Sequence, residues 1–220
     1  MVSTKANEKT LGEIEAKLKQ FSGDLVRVEY LENCLKQLGL PNDAKRFCYL
    51  KLADLYEYRL MWTLAAKNMD NAADCATTFK DKINYYMKEI SLWIRVNDYI
   101  MIDKAFKKAL LCANTNSEKE ALKSKLKGDL MTQAAEHEKK NKRSNAAFIY
   151  EKLLEMPITT IEEKKMLMEK VAKLNSGLGR LKEAIRYEQM LKKPIEIKRS
   201  ADADDNVKRI SFEDLGIDSV

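Results

Sequence analysis

The chain has 220 residues, 45% of them hydrophobic, enough for one sizeable core or for an elongated array with a continuous core. Only 7 glycines and 3 prolines occur, too few for the turns of an all-β fold, so the long stretches of Ala, Leu, Lys, Glu and Met read as helix. The net charge of +6, from 40 basic and 34 acidic residues, is more diffuse than that of a dedicated nucleic-acid binder.

In chain order, residues 1–19 are polar and charged, so no secretory leader is expected there. Helices are expected over residues 11–20 and 25–38, the second with Leu25, Val28, Leu31, Leu35 and Leu38 on one face. Gly39 suits a left-handed cap, Pro41 follows, and Asn42 or Asp43 can cap the next helix. Four helix pairs come next: 44–58 with 61–79, 81–96 with 99–113, 119–140 with 144–155, and 161–175 with 181–192. Ser117 and Glu120 read as a capping box, Gly177 and Gly179 as a turn, and Pro157 and Pro194 as stops. Three regions result: an N-terminal helical cap over 1–43, a helical repeat domain over 44–194 and a tail over 195–220. The tail holds four basic and seven acidic residues, so a basic body of net +9 precedes an acidic segment of net −3. No apolar run is long enough to span a bilayer, and no integral membrane segment is expected.

The pairs share a spacing. Tyr49, Leu52, Ala53 and Tyr56 lead into Ala65, Met69, Ala72 and Ala73. The second copy has Ile102, Phe106, Ala109 and Leu110, the third Ala146, Tyr150, Leu153 and Leu154. The fourth has Ala184, Glu188, Leu191 and Lys192, with Tyr187 beside the aromatic site. Steps of 37, 44 and 38 residues separate Ala65, Ile102, Ala146 and Ala184, a period typical of helix pairs packed in series.

These residues resemble the tetratricopeptide repeat superfamily over about residues 45–193. Tyr49, Leu52, Ala53 and Tyr56 fit its first helix; Ala146, Tyr150, Leu153, Leu154 and Pro157 fit its second. The long repeats, with first-helix aromatics missing from the third and fourth copies, are similar to the irregular subgroup that includes soluble NSF attachment proteins. The resemblance implies an all-α, TPR-like α-solenoid of antiparallel helix hairpins with a C-terminal tail. It also implies a concave groove that receives a peptide or helix, and the attachment-protein likeness implies a vesicle-trafficking adaptor. Some relatives clamp a terminal carboxylate with Lys and Asn, but Asp54 stands at one such position and would repel it, so that site is not carried over.

No catalytic constellation is legible. His137 is the single histidine, on a charged helix without a base or ligand partner. Gly177-Leu178-Gly179 follows a helix rather than a strand and is too short for a phosphate loop. Cys34, Cys48, Cys75 and Cys112 lack zinc spacing and read as buried reduced thiols of a cytoplasmic protein. No cofactor is expected, and the chain reads as a non-enzyme.

The binding candidates are few. Tyr86 and Trp93 share a core face, whereas Tyr85 points elsewhere and can offer its hydroxyl to a partner backbone. Lys139, Lys140, Lys142 and Arg143 cluster at a turn; they are either a solvated helix end or a contact for phosphate or acidic peptide. In the tail, Ile210, Phe212 and Leu215 are too apolar for a spacer, so the segment either folds back or anchors a partner. Lys208, Arg209 and Ser211 form a short pattern like a kinase site. The leading expectation is a scaffold or adaptor for a protein partner. The alternatives are an RNA- or ribosome-associated factor and the trafficking adaptor.

Overall fold

A computed structural model describes residues 4–192, and these hold ten α-helices and no strand. They are α1 (Leu11–Leu18), α2 (Asp24–Leu35), α3 (Asn42–Tyr58), α4 (Trp62–Asp74), α5 (Phe79–Val96), α6 (Tyr99–Cys112), α7 (Asn116–Lys139), α8 (Arg143–Glu155), α9 (Ile161–Gly177) and α10 (Leu181–Lys192). Five helices start on a side-chain cap. Thr10, Thr115 and Thr160 form capping boxes with Glu13, Glu118 and Glu163. Thr78 and Asp98 accept from the amides of Asp81 and Met101.

One backbone device recurs at four helix ends. Leu60, Asn97, Asn141 and Gly179 adopt left-handed φ values of 61°, 59°, 56° and 75°. Each amide donates to the carbonyl three residues back: Leu60 to Glu57, Asn97 to Ile94, Asn141 to Glu138 and Gly179 to Ser176. The following amide reaches five back: Met61 to Tyr56 at 2.8 Å, Asp98 to Trp93 at 3.2 Å, Lys142 to His137 at 2.8 Å, and Arg180 to Asn175 at 2.9 Å. This pair of bonds is the Schellman motif, which satisfies carbonyls that a helix end leaves bare. It closes α3, α5, α7 and α9 and starts α4, α6, α8 and α10 at once. Each left-handed residue stands five positions before Ala65, Ile102, Ala146 or Ala184, the small or branched residue of each copy, and all four of these are buried. The spacing visible in the side chains is therefore also a spacing of identical turns.

Sequence neighbours pack on each other, α3 on α4, α4 on α5, α5 on α6, and so on to α9 on α10. Ala65, Ala66, Ala72 and Ala73 are fully buried in α4, which lies against both α3 and α5; without bulk at these positions the backbones come close. Tyr56, Tyr86, Trp93, Phe106 and Tyr150 fill the wider gaps. The buried residues form one cluster from Ile14 to Val171, so α1 and α2 share the core of the helices that follow. No described helix is long and apolar enough to cross a membrane.

Several local expectations are corrected. α2 ends at Leu35, and Leu25 and Leu38 are exposed; its buried face is Val28, Tyr30, Leu31 and Cys34. α4 ends at Asp74, because Thr78 caps α5 and Phe79 belongs to that helix. The capping box before α7 is Thr115 with Glu118, two residues earlier than Ser117 and Glu120. Pro41 occupies the cap of α3 without a side-chain bond, while the Asp43 carboxylate accepts from the Ala44 amide. Cys34 and Cys48 are buried, but Cys75 and Cys112 are only partly so.

Glu89 is the exception inside the core. It is 2% exposed, one oxygen accepts from the Trp93 indole N–H at 2.8 Å, and the other has no partner among the described residues. Burial pushes its pKa up to about 7; the nearby Asp70 adds to the rise, and Lys108 opposes it. The unfolded chain sheds this proton near the ordinary 4.5, whereas the folded chain holds it to about 7. This group's contribution to stability therefore falls as pH rises between those values, by about 3 kcal/mol at most. Glu89→Gln is expected to remove that slope and to exceed the wild type at pH 8 by about 1–3 kcal/mol, measured by urea unfolding at pH 5 and 8.

Two glycines give a test of the turn. A Cβ added at Gly179 meets nothing within 4 Å, so its cost is the left-handed backbone alone. Gly128 is equally open but lies inside α7. Gly179→Ala is expected to destabilise by about 1 kcal/mol and Gly128→Ala to stabilise by about 0.5–1 kcal/mol, read from urea midpoints.

Candidate functional site

Ion pairs tie some helix pairs to the next. Glu57 of α3 binds Lys88 of α5 at 2.7 Å, and Asp70 of α4 binds Lys108 of α6. Further on, Lys127 of α7 binds Glu163 of α9 at 2.6 Å, and Glu138 of α7 faces Lys170 of α9. Between α5–α6 and α7–α8 no ion pair occurs among the described residues, and α7 touches α5 and α6 over a short stretch only. Two polar bonds cross this joint: the Gln133 amide donates to the Ile94 carbonyl at 2.6 Å and to Asn97 Oδ1 at 3.2 Å. The rings of Tyr99 and Phe148 add an edge-to-face contact at 5.3 Å.

The joint opens on a cleft of about 740 Å³. Its lining comes from the α5–α6 turn and the first turns of α6, and from α8 with the Met156-Pro157 exit. The local sequence explains this placement. Asn97 turns the chain left-handed and Asp98 caps α6, which sets Tyr99 and Ile100 at the helix start. Phe148 lies on α8, beside Lys152, whose ammonium sits 5.6 Å from its ring centre. Ile100 is 71% exposed and Phe148 45% exposed, so the cleft has apolar walls open to solvent. Asp98, Asp103, Glu155 and Lys152 surround them; Asp103 pairs with Lys107 at 2.6 Å, Glu155 with Lys152 at 2.7 Å, and Asp98 caps α6.

Tyr99 is buried at this site, and its hydroxyl has no partner among the described residues. Burial pushes its pKa up to about 12, so at neutral pH it is a phenol with a proton to donate. Apolar walls with carboxylates at the rim are groups that can hold and orient a ligand. They supply no nucleophile with a base beside it.

A second hollow of about 400 Å³ lies where Trp62, Arg95, Gln133 and His137 meet. The Arg95 guanidinium stands 4.8 Å from the Trp62 ring centre. Gln133 Oε1 and His137 Nδ1 are buried there without a partner among the described residues. Burial, and then Lys142 and Lys140, lower the His137 pKa, which favours the neutral ring.

The basic turn is split by the structure. Lys139, Lys140, Lys142 and Arg143 are all exposed, and Lys140 pairs with Glu136 at 3.4 Å. Of the four, only Arg143 lines a third hollow of about 640 Å³, with Lys170, Lys173, Asn141, Ser176 and Glu138. Its guanidinium lies 3.4 Å from where a Cβ on Gly177 would be. The addition of Lys170 and Lys173, some thirty residues away in sequence, has no local signal. Tyr85 is half-buried, packs against the core and lines none of these three hollows. Ile210, Phe212 and Leu215 lie outside the described residues. Among the described residues no group of three or more His, Cys, Asp or Glu side chains could hold a metal ion.

In comparisons with known proteins, no family model matches the chain, and no curated protein matches it.

The unpaired phenol can be weighed directly. Tyr99→Phe removes a buried group without a partner and is expected to raise unfolding free energy by about 1 kcal/mol in the free protein, measured by urea denaturation.

Proposed function

We propose that the protein is a non-enzymatic binding module, a TPR-like array of helix hairpins that holds a segment of a partner protein. The cleft between α6 and α8 is the seat of that segment. The observation that carries the reading is the pairing of two exposed apolar walls, Ile100 and Phe148, across one cleft. An aliphatic or aromatic side chain fills such walls, and Lys or Arg on either side answers Asp98, Asp103 and Glu155, in competition with Lys107 on Asp103 and Lys152 on Glu155. The four equal turns support the hairpin reading, because they place four helix pairs in one register.

The test is selection of a displayed peptide library on the full chain. Enriched peptides are expected to carry a large apolar residue flanked by Lys or Arg. The double variant Ile100→Glu with Phe148→Ala is expected to lose about tenfold to a hundredfold in affinity, the scale of one or two buried side chains. Enrichment of acidic peptides, or affinity indifferent to that variant, would count against the cleft.

A second reading has its own observation, the convergence of Arg143, Lys170 and Lys173 on one hollow. These cations suit a phosphate backbone, as in an RNA- or ribosome-associated factor. Three phosphate contacts to a single strand give log affinity a slope of about −2 against log salt. Arg143→Ala with Lys173→Ala is expected to flatten that slope in a filter-binding titration, and an RNA affinity independent of salt would remove the reading.

A further inference from the structure

The four equal turns allow helix positions to be compared residue by residue. Six residues after each left-handed position stand Ala66, Asp103, Ala147 and Ile185. Ala66 and Ala147 are 0% and 1% exposed, with α5 and α9 packed on their helices. Asp103, at the loosely covered joint, is exposed at an intermediate level. Ile185 is 51% exposed. Nine residues after the turn, Met69, Phe106 and Tyr150 are buried, whereas Glu188 is exposed. In α4 and α8, the side that holds these positions is covered by the helix that follows. In α10 it is bare: Ala184 is its one buried residue, and Leu181 is 62% exposed. The end of a helical array needs a polar outer face or a cover, and α10 presents Leu181 and Ile185 instead.

Chemistry and length both point to the cover. Exposed Lys182, Arg186 and Lys192 lie around the apolar pair on α10 and outnumber the exposed Glu183 and Glu188 there. The sequence continues for 28 residues beyond Lys192, through a basic stretch over 193–199 and a polar acidic one over 200–206, to a segment that opens on Lys208 and Arg209 and then interleaves Phe212, Leu215 and Ile217 with Glu213, Asp214 and Asp218. α10 is about 18 Å long at 1.5 Å per residue, and the fourteen residues 193–206 can span up to about 45 Å. The apolar segment can therefore return along the whole helix. We propose that residues 207–220 cover the outer face of α10, with their apolar side chains over Leu181 and Ile185 and their carboxylates against Lys182, Arg186 and Lys192. This contact does not depend on the α6–α8 cleft. It gives the acidic tail of a basic chain a place within the same molecule.

The full chain tests it in two ways. Zero-length carbodiimide coupling, followed by peptide mass mapping of the monomer fraction, is expected to join Lys182 or Lys192 to Glu213, Asp214 or Asp218. Amide exchange over the second half of α10 is expected to quicken about tenfold in Phe212→Asp with Leu215→Asp, with α3 to α5 unchanged. Ile185→Glu, made separately, is expected to abolish the same cross-links. Tail carboxylates coupled elsewhere, or α10 exchange equal in wild type and tail variant, would overturn the proposal. So would links found only between two copies in a mixture of isotopically labelled and unlabelled chains. A loss of library-selected peptides in the tail variant would contradict the cleft reading, not this one.

Discussion

The structure depends on a backbone hydrogen bond that recurs four times. The amides of Met61, Asp98, Lys142 and Arg180 each reach back to a carbonyl five residues earlier, past a left-handed residue. A helix that ends this way leaves at a defined angle, so the next helix begins with its register already set. Everything downstream inherits that register. The buried small or branched residue comes five positions after each turn; four after that stands a buried methionine or aromatic residue in the first three copies and the exposed Glu188 in the fourth, and the core from Ile14 to Val171 follows as one cluster.

Much of this was legible, and the reason for the rest is physical. The spacing of Ala65, Ile102, Ala146 and Ala184 could be read from side chains because burial selects size. Of the turns themselves only the one at Gly179 stood out, through its glycines; Leu60, Asn97 and Asn141 hold the same left-handed conformation without a glycine to mark it. Glycine and asparagine tolerate left-handed φ at little cost; leucine does so only under a hydrogen bond that holds it. The faces of α2 were misread because Leu25 and Leu38 sit at the ends of an apolar period, where no neighbour covers them.

The candidate site was less legible than the fold. Tyr99 and Ile100 stand about fifty residues from Phe148, and only packing brings them together. No local motif marks a joint between helix pairs. It shows instead as a gap in a pattern: Glu57–Lys88 and Asp70–Lys108 on one side, Lys127–Glu163 and Glu138–Lys170 on the other, and no such pair between. The basic turn was visible as a charge run, yet Arg143 acquires its neighbours Lys170 and Lys173 only in the folded chain. A charge run in sequence locates cations; it does not say which of them converge.

The most direct measurement is residue-resolved hydrogen exchange at the four turns. Met61, Asp98, Lys142 and Arg180 lie outside the helices, at positions where amides ordinarily exchange freely. If their bonds to Tyr56, Trp93, His137 and Asn175 set the register, these four amides will exchange about a hundredfold more slowly than those of Trp62, Tyr99, Arg143 and Leu181, the first residues of the next helices. Equally fast exchange at both sets would contradict the account, because the turns would then not be held by the bond on which the register rests.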